Sequence, residues 1–380
     1  MSFWRNAKVL GILAQVVVVL LVIALLVFLG DNLIYNFELR GLNFGFNFLN
    51  DPASFPIGTS LIDYNPSNSY LRAVIVGFLN TLIAIAVGII LATTIGIAIG
   101  IGKLSNNWLV RQIATIYVEI FRNTPLLLQL FFWYSVFLQL PTGQNSLTIL
   151  EAIFLSNQGL FVPKPATTTE IWLALGSIAS SFILAFLFWR TRGRAIATRR
   201  SDLQLRSNIF AGTAIVPILI VLFVLDWQIP ILNRDNGLIS GGANLSLELT
   251  ALIFGLAIYT AAFIAEVVRA GIDSVNTGQW EAARALGLKG SLAMRLIIFP
   301  QALRVMIPPL TSEYLNLAKN SSLATAIGYP DIYSIAFNIS EQTGRSLEIL
   351  LIVMASYLSV NLIISLIMNL FNKTVQLKEK

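Results

Sequence analysis

The stretch from Gly278 to Pro300 reads GQWEAARALGLKGSLAMRLIIFP and is the longest polar, helix-prone segment of an otherwise apolar chain. Residues Glu281 to Leu286 are strong helix formers. Gly287 then offers the left-handed backbone position that ends a helix. Ser291 can cap a second short helix, Leu292 to Phe299. The stretch therefore predicts two short helices joined by a glycine hinge, placed between two membrane spans and shaped to dock another subunit.

The overall composition is that of a membrane protein. Of the 380 residues, 56% are hydrophobic and only 12% are charged, whereas soluble domains carry about 25% charged residues. The chain has no cysteine and no histidine, which excludes Cys and His nucleophiles, His bases, disulfides and Cys/His zinc sites. We therefore expect no metal site and no catalytic residue in this chain.

Eight apolar segments are long enough to cross a ~30 Å hydrocarbon core. They are Val9–Leu29, Val74–Ile101, Gln112–Leu140, Ile171–Trp189, Ile209–Leu225, Leu247–Val268, Leu296–Ile327 and Leu347–Phe371. The predicted fold is thus an all-α polytopic membrane protein with about eight transmembrane helices. The alternative interpretation of the first segment is a signal peptide. The apolar region of a signal peptide is shorter (about 7–15 residues) and precedes a small-x-small cleavage site. Leu29-Gly30-Asp31 offers no such site, so a retained anchor is favoured.

The basic residues set the predicted orientation. Lysine and arginine concentrate in the segments Met1–Lys8, Lys103–Arg111, Arg190–Arg206, Arg269–Arg295 and Lys373–Lys380. All five fall on one side of an eight-span chain, as the positive-inside rule requires. Both termini are therefore predicted to be cytoplasmic. The arginine-rich run from Arg190 to Arg206 marks topology rather than nucleic-acid binding, and polar loops such as Gly30–Arg72, Pro141–Thr169 and Asp226–Ser246 are predicted to lie outside.

Two spans contain helix-breaking prolines. The third span is interrupted at Arg122, Asn123, Thr124 and Pro125, where polar side chains can satisfy a freed carbonyl. Glu119 can pair with Arg122, three residues later on the same helix face. Two interpretations stay open here, an interfacial ion pair and a helix bend that shapes a pathway. In the seventh span, Pro308 and Pro309 predict a broken or bent helix.

Charged and polar side chains inside the membrane are candidates for a substrate pathway, since burying them is costly. The predicted pathway residues are Glu266, Glu313, Asn316, Lys319, Asn320, Ser321 and Ser322. An amino acid needs an anionic partner, a cationic partner and hydrogen-bonding groups, and this face of the seventh span supplies all three. Helix–helix hydrogen bonding is an equally good explanation, and Glu266 can simply pair with Arg269.

The spacing of the opening stretch carries a family resemblance. Glu281-Ala282-Ala283, then Gly287 and then Ile297-x-Phe299-Pro300 resemble the EAA loop of ABC importer permeases, with Phe299 replacing a leucine. Similar flanking motifs are Ala261–Gly271, Pro300–Arg304, Lys319–Leu323 and Glu119–Leu127. The chain resembles the polar amino-acid branch, and its length resembles the larger permease subunit of broad-specificity amino-acid importers.

The resemblance implies a five-helix type I ABC importer permease core. The implied organisation is an N-terminal anchor with an external loop (1–73), a first core part (74–140), an inserted loop, hairpin and basic segment (141–247), a second core part (248–373) with the EAA loop at 278–300, and a tail (374–380). The implied ATPase-coupling residues are Gln279, Glu281, Ala282, Ala283, Arg284, Gly287 and Pro300.

The resemblance also implies a function and a set of partners. The chain is expected to translocate amino acids across the bacterial cytoplasmic membrane by alternating access, while ATP and Mg are bound by a separate ATPase dimer. The other implied partners are a second permease subunit, giving a heterodimer, and an external solute-binding protein. The competing hypothesis is an ion-coupled secondary transporter or channel, which the lack of an inverted pair of broken helices disfavours. An intramembrane enzyme is remote because few catalytic pairs remain.

Overall fold

The structure is a computed structural model that describes residues 7–39, 44–142, 145–149, 151–166, 169–170, 176–177, 180, 226–233 and 238–375. Its α-helices are α1 (Ala7–Leu39), α2 (Tyr70–Lys103), α3 (Trp108–Arg122), α4 (Leu126–Leu138), α5 (Leu247–Asp273), α6 (Thr277–Ala285), α7 (Gly290–Ala293), α8 (Phe299–Asn320), α9 (Ile332–Thr343) and α10 (Ser346–Val375).

The helical, polytopic architecture predicted from the sequence is confirmed. Within the described residues, five helical segments are long and apolar enough to cross a membrane: Gly11–Asn32, Tyr70–Lys103, Leu247–Asp273, Gly290–Ile327 and Ser346–Val375. The predicted third span is divided between α3 and α4. The predicted fourth and fifth spans lie almost wholly outside the described residues.

Helices α2 and α5 form the centre of the bundle and run parallel to each other. Gly96 lies against Ile264, and Gly100 lies against Val268 one turn further along both helices. From the first contact to the second, both helices advance by four residues toward their C-termini. The two helices therefore run in the same direction. A Cβ atom on Gly96 would lie 2.6 Å from the Ile264 side chain. The close contact between α2 and α5 therefore requires a glycine, which has no side chain, at this position.

The remaining core helices give the bundle two distinct ends. Helix α8 runs back along α5, with Met306 against Gly271. Helix α10 returns again, and the Arg304 Nε donates to the Val375 carbonyl at 3.1 Å. The end that holds α6, α7 and the C-terminus of α10 is called the α6 end here, and the other is called the opposite end.

Short β-strands form at the opposite end, in segments that the sequence predicted to be loops. The strands are β1 (Leu147–Ile149), β2 (Ile153–Ser156), β3 (Gly159–Val162), β4 (Lys164–Pro165), β5 (Trp227–Gln228), β6 (Ile231–Leu232), β7 (Ile239–Ser240) and β8 (Ala243–Leu245). Strands β1, β2, β3 and β8 form an antiparallel sheet in that order. Alternating burial in β2 and β3 gives each strand one packed face.

The segment from 44 to 69 is fixed to the turn between α9 and α10. The Glu348 side chain is almost completely buried and accepts hydrogen bonds from the Gly45 backbone N–H at 3.3 Å and from Arg345 at 3.2 Å. The Arg345 guanidinium also lies 5.4 Å from the centre of the Phe48 ring. These contacts attach the segment to the core helices at the opposite end.

Asp331 joins three elements at the same end. Its carboxylate caps α9 by accepting from the Ser334 N–H at 2.8 Å, and it also accepts from Thr325 and from the Tyr357 hydroxyl of α10, each at 3.3 Å. Burial is the largest influence on this group and raises the pKa of Asp331 from its ordinary value of 3.8 to about 6. The ionised carboxylate is therefore disfavoured in the folded protein.

We predict that Gly96→Ala destabilises the bundle by about 1–3 kcal/mol, because the added methyl group overlaps Ile264. Gly102→Ala is the matched control, since its Cβ would lie at an ordinary 3.4 Å from Ala114 and should cost less than about 0.5 kcal/mol. Denaturation of the detergent-solubilised protein measures both. Equal stability of the two variants would contradict the proposed close packing.

We predict that Asp331 makes the protein less stable as the pH rises. Folding raises the pKa of Asp331. Its contribution to the free energy of unfolding is therefore fully present below its ordinary pKa of 3.8 and is lost as the pH rises through about 6. Asp331→Asn keeps an acceptor for the Ser334 N–H and should remove about 1–3 kcal/mol of this pH dependence. Melting temperatures at a pH of about 4.5 and about 7.5 test it; an unchanged difference between the two values in the variant would show that Asp331 is not responsible.

Candidate functional site

Helix α6 is held at both ends by its own sequence. The Asn276 side chain caps its start by accepting from the Gly278 N–H at 2.8 Å. At its end, Gly287 adopts a left-handed conformation with φ of +71°. The Gly287 N–H donates to the Arg284 carbonyl at 2.9 Å, and the Leu288 N–H donates to the Ala283 carbonyl at 3.1 Å. This pair of bonds is a Schellman motif, which fixes the direction in which the chain leaves α6.

The second short helix differs from its prediction. Lys289, rather than Ser291, occupies the capping position, because the Leu292 and Ala293 N–H groups both bond to the Lys289 carbonyl. Helix α7 therefore begins at Gly290 and passes through a π-helical segment, Met294–Ile298, directly into α8. The chain from Gly290 to Ile327 is one 38-residue helical segment. Only the turn at Gly287 separates α6 from this long helix.

One face of α6 is packed, and the rest is exposed. Ala283 is fully buried, while Glu281, Ala282 and Arg284 are exposed. Leu286 is an apolar side chain with 75% of its surface accessible. An exposed leucine beside exposed charged groups is a surface to which another protein can bind.

A hydrogen bond links α6 to α8. The Gln301 Nε2 donates to the Gln279 Oε1 at 3.2 Å and to the Ile297 carbonyl at 3.0 Å. Pro300 lies in the first turn of α8, directly after the π-helical segment, and has no N–H to donate to that segment. The predicted coupling residues therefore surround one junction between α6 and the long helix.

Pro308 and Pro309 do not break their helix. Helix α8 runs through both residues without interruption, so the predicted break is absent there. The irregular turns lie at its two ends instead, as the π-helical Met294–Ile298 and a 3₁₀ helix at Ser321–Ile327.

The interruption at Pro125 separates α3 from α4. The freed carbonyls are satisfied by side chains: Asn123 donates to the Glu119 carbonyl at 2.8 Å and Thr124 donates to the Ile120 carbonyl at 2.6 Å. The buried Gln129 amide, which the sequence analysis did not single out, donates to the Phe121 and Thr124 carbonyls at 3.0 Å each.

The suggested pairing of Glu119 with Arg122 does not form in the described part of the chain. The Glu119 carboxylate instead accepts from Asn123 at 3.2 Å. The Arg122 guanidinium lies 5.1 Å from the centre of the Phe263 ring, because the helix ends at Arg122 and directs its last side chain toward α5. Arg122 thereby joins a different set of charges.

Glu266 belongs to a chain of ion pairs at the α6 end. It bonds to Lys103 of α2 and to the Arg269 Nε, the latter at 2.9 Å. Arg269 also contacts Asp273 at 2.7 Å. The predicted Glu266–Arg269 pair is thus present, and Lys103 extends it across the α2–α5 interface. These partners give Glu266 a structural role.

Glu313 is a half-buried carboxylate of α8 that lies near a cation and aromatic rings, whereas Asn316 on the next turn is exposed. Arg122 and, three residues further along α8, Asn316 are the groups whose charge and dipole favour the ionised Glu313 carboxylate. Tyr259 faces it from α5, and the Tyr259 and Phe263 rings are 4.9 Å apart. A carboxylate and an amide of α8 and a guanidinium of α3 therefore lie near one another. Such a group can bind both the ammonium and the carboxylate of an amino acid.

The other predicted pathway residues do not all join this group. Ser321 is buried and donates to the Ala318 carbonyl at 2.8 Å, while Ser322 donates to the Lys319 carbonyl at 2.8 Å. Lys319 is exposed and Asn320 is half-buried. Of the seven residues predicted, only Glu313 and Asn316 share one cluster, here called the Glu313 cluster, with Arg122, Tyr259 and Phe263.

Sequence reasoning missed the partners that come from other helices. The sequence indicates only a helix bend at Arg122. Tyr259 and Phe263 give no sequence signal of a functional site, because aromatic residues in an apolar span usually pack against lipid or helices.

Among the described residues no group of three or more carboxylates could hold a metal ion.

Comparisons with known proteins agree with this architecture. Residues 203–377 match the family described as "binding-protein-dependent transport system inner membrane component". The chain is 41% identical to the putative amino-acid ABC transporter permease protein YhdX of Escherichia coli K12, over 99% of this chain and 97% of that protein. It is 40% identical to the general L-amino acid transport system permease protein AapQ of Rhizobium johnstonii, over 100% of this chain and 95% of that protein.

A solved amino acid ABC transporter with histidines covers 80% of this chain and 94% of its own, at 23% identity and a TM-score of 0.48. The similarity to YhdX and AapQ extends over almost the full length of the chain and shows its family. The apolar helices, long enough to cross a membrane, agree with a membrane protein. The chain belongs to the amino-acid ABC transporter permeases and is a multi-pass inner-membrane protein.

Proposed function

We propose that this chain translocates amino acids by alternating access, driven by ATP hydrolysis in a separate ATPase dimer. The observation that carries the proposal is the exposed surface of α6, held at a fixed angle by Gly287 and connected to one continuous helix through the bundle. A force applied to α6 therefore reaches α8 through a single turn. ATP and Mg belong to the ATPase, and this chain needs no cofactor of its own.

The distribution of charge supports a cytoplasmic position for the α6 end. Basic side chains concentrate there; in the described chain they are Lys103, Arg111, Arg269, Arg284, Lys289, Arg295, Arg304 and Lys373. The opposite end carries mainly acids, namely Asp51, Asp63, Glu248, Asp331, Glu341 and Glu348. By the positive-inside rule, the α6 end and both termini face the cytoplasm.

The Glu313 cluster supplies the substrate contacts in this proposal. A zwitterion brings one ammonium and one carboxylate, which match Glu313 and Arg122 respectively, and the Asn316 amide adds a hydrogen-bonding group. These contacts recognise the part common to all amino acids. Selection among side chains is then left to an external solute-binding protein and to a second permease subunit, which completes a heterodimer.

We predict that Glu281→Lys and Gly287→Val leave membrane insertion intact and abolish uptake. The lysine reverses the charge of the exposed α6 surface. The valine cannot adopt the left-handed conformation without strain of roughly 1–2 kcal/mol, so α6 points in another direction. Uptake by membrane vesicles and co-purification of the ATPase measure both effects.

Gly290→Ala is the matched control for the glycine variant. Gly290 lies three residues further on, has open space around it and lacks the positive φ of Gly287. It should retain full uptake. Normal uptake by both test variants, or uptake in vesicles that contain this chain without any ATPase, would contradict the proposed coupling and favour an ion-coupled transporter.

We predict that Glu313→Gln and Arg122→Gln each raise the KM for every transported amino acid by about tenfold or more. The reason is that both residues address the α-ammonium and α-carboxylate rather than the side chain. Glu119→Gln is the control, since this carboxylate lies one turn from Arg122 and bonds to Asn123 instead. An increase in KM that is confined to one class of amino acid would refute a general zwitterion site.

A further inference from the structure

A cavity of about 350 Å³ lies at the opposite end of the bundle, far from the Glu313 cluster. Its walls come from three separate parts of the chain: the 44–69 segment with Phe55 and Thr59, the start of α5 with Glu248, and the turn into α9 with Pro330 and Ser334. The volume falls within the roughly 300–1,000 Å³ typical of ligand-binding cavities.

The walls of this cavity are preformed by hydrogen bonds. The Asn80 amide donates to the Thr59 carbonyl at 2.8 Å and to the Pro330 carbonyl at 2.9 Å, so it holds two walls together. The Tyr64 hydroxyl donates to the Phe55 carbonyl at 2.9 Å. A ligand would therefore find the cavity already shaped, which reduces the entropy lost on binding.

The charge of the cavity is negative and has no internal partner. Glu248 is the only charged residue among the described residues that line it. The described residues give the Glu248 carboxylate neither a hydrogen bond nor an ion pair. Its place in the first turn of α5 suits a negative charge at a helix start, but leaves the carboxylate oxygens free to accept from a cation.

The same charge argues against a free amino acid as the ligand. A zwitterion would bring a carboxylate into a cavity whose described lining has no lysine or arginine, beside the Glu248 carboxylate. Uncompensated like charges at close range are unfavourable. A basic side chain of a docked protein brings only its cation and an aliphatic stem, and the stem matches apolar wall residues such as Phe55 and Ile335.

We propose that this cavity receives one lysine or arginine side chain of an external protein that docks on the opposite end. This inference rests on the proposed function, which places that end outside and supplies the partner, a solute-binding protein. Glu248 pairs with the incoming cation, Ser334 adds a hydroxyl, and the apolar walls exclude water from the pair. The contact orients the binding protein over the bundle.

The experiment uses the complete importer in lipid nanodiscs and the solute-binding protein that supports its uptake activity. Glu248→Lys should weaken binding of that protein by about tenfold or more, and Glu248→Gln by less. The control is Glu341→Lys, an exposed acid on α9 outside the cavity, which should change the Kd by less than about twofold. Raising the salt from about 50 to about 300 mM should weaken binding to the wild type more than binding to Glu248→Gln.

A lysine-to-glutamate or arginine-to-glutamate change in the binding protein that restores affinity for Glu248→Lys would identify the inserted side chain. Equal affinities of the wild type and both Glu248 variants would overturn the inference while leaving the transport proposal intact. Failure of the wild type to bind any such protein would instead count against the proposed function. A second measurement adds n-butylamine, a free amine. If it stabilises the wild type thermally but not Glu248→Gln, and protein binding is unchanged in the variant, then the cavity binds a free amine rather than a protein side chain. That result would overturn the docking inference.

Discussion

The close approach of α2 to α5 is the contact on which the rest of the bundle depends. Gly96 and Gly100 bring the two backbones together, and Ile264 and Val268 fill the space that side chains would otherwise occupy. In a membrane there is little hydrophobic drive for helices to associate, so shape-matched packing of this kind supplies the attraction. The Lys103–Glu266 ion pair joins the same two helices at the α6 end. Helices α8 and α10 then pack against a centre whose direction is already fixed.

This arrangement gives the α6 surface a direct mechanical connection to the membrane. Since α7 continues through a π-helical segment into α8, helices α6 and α7 are not two free elements joined by a hinge. The Schellman motif at Gly287 and the Gln279–Gln301 hydrogen bond fix the angle between α6 and the long helix. A rigid connection of this kind passes displacement to the bundle rather than absorbing it. The π-helical segment is the one irregular turn along this path, and such turns are common at functional positions.

The two carboxylates Glu266 and Glu313 have different surroundings in the bundle. Glu266 is saturated by Lys103 and Arg269, so its charge stabilises the helix interface. Glu313, about four turns from Pro300 along α8, lies near Arg122, whose guanidinium also contacts the Phe263 ring. The chain break before Pro125 is what releases Arg122 from its own helix partner and directs it toward α5. Of the two interpretations that the sequence left open for this break, the Glu119–Arg122 ion pair does not form among the described residues, and the pathway-shaping bend stays a prediction.

The sequence by itself determined the membrane class, the helical architecture, the glycine turn after α6 and the family. These features rest on local composition, helix-ending chemistry and motif spacing, all of which are readable along one chain. The tertiary structure alone decided which polar groups meet: Ser321 turns into the core while Arg122 lies near Glu313, and Gln129 of the next helix joins Asn123 and Thr124 in satisfying the break. It also decided that Pro308 and Pro309 remain in an unbroken helix and that loops at the opposite end form a sheet. Such outcomes depend on contacts between residues distant in sequence, whose free energies outweigh local preference and leave no periodic signal.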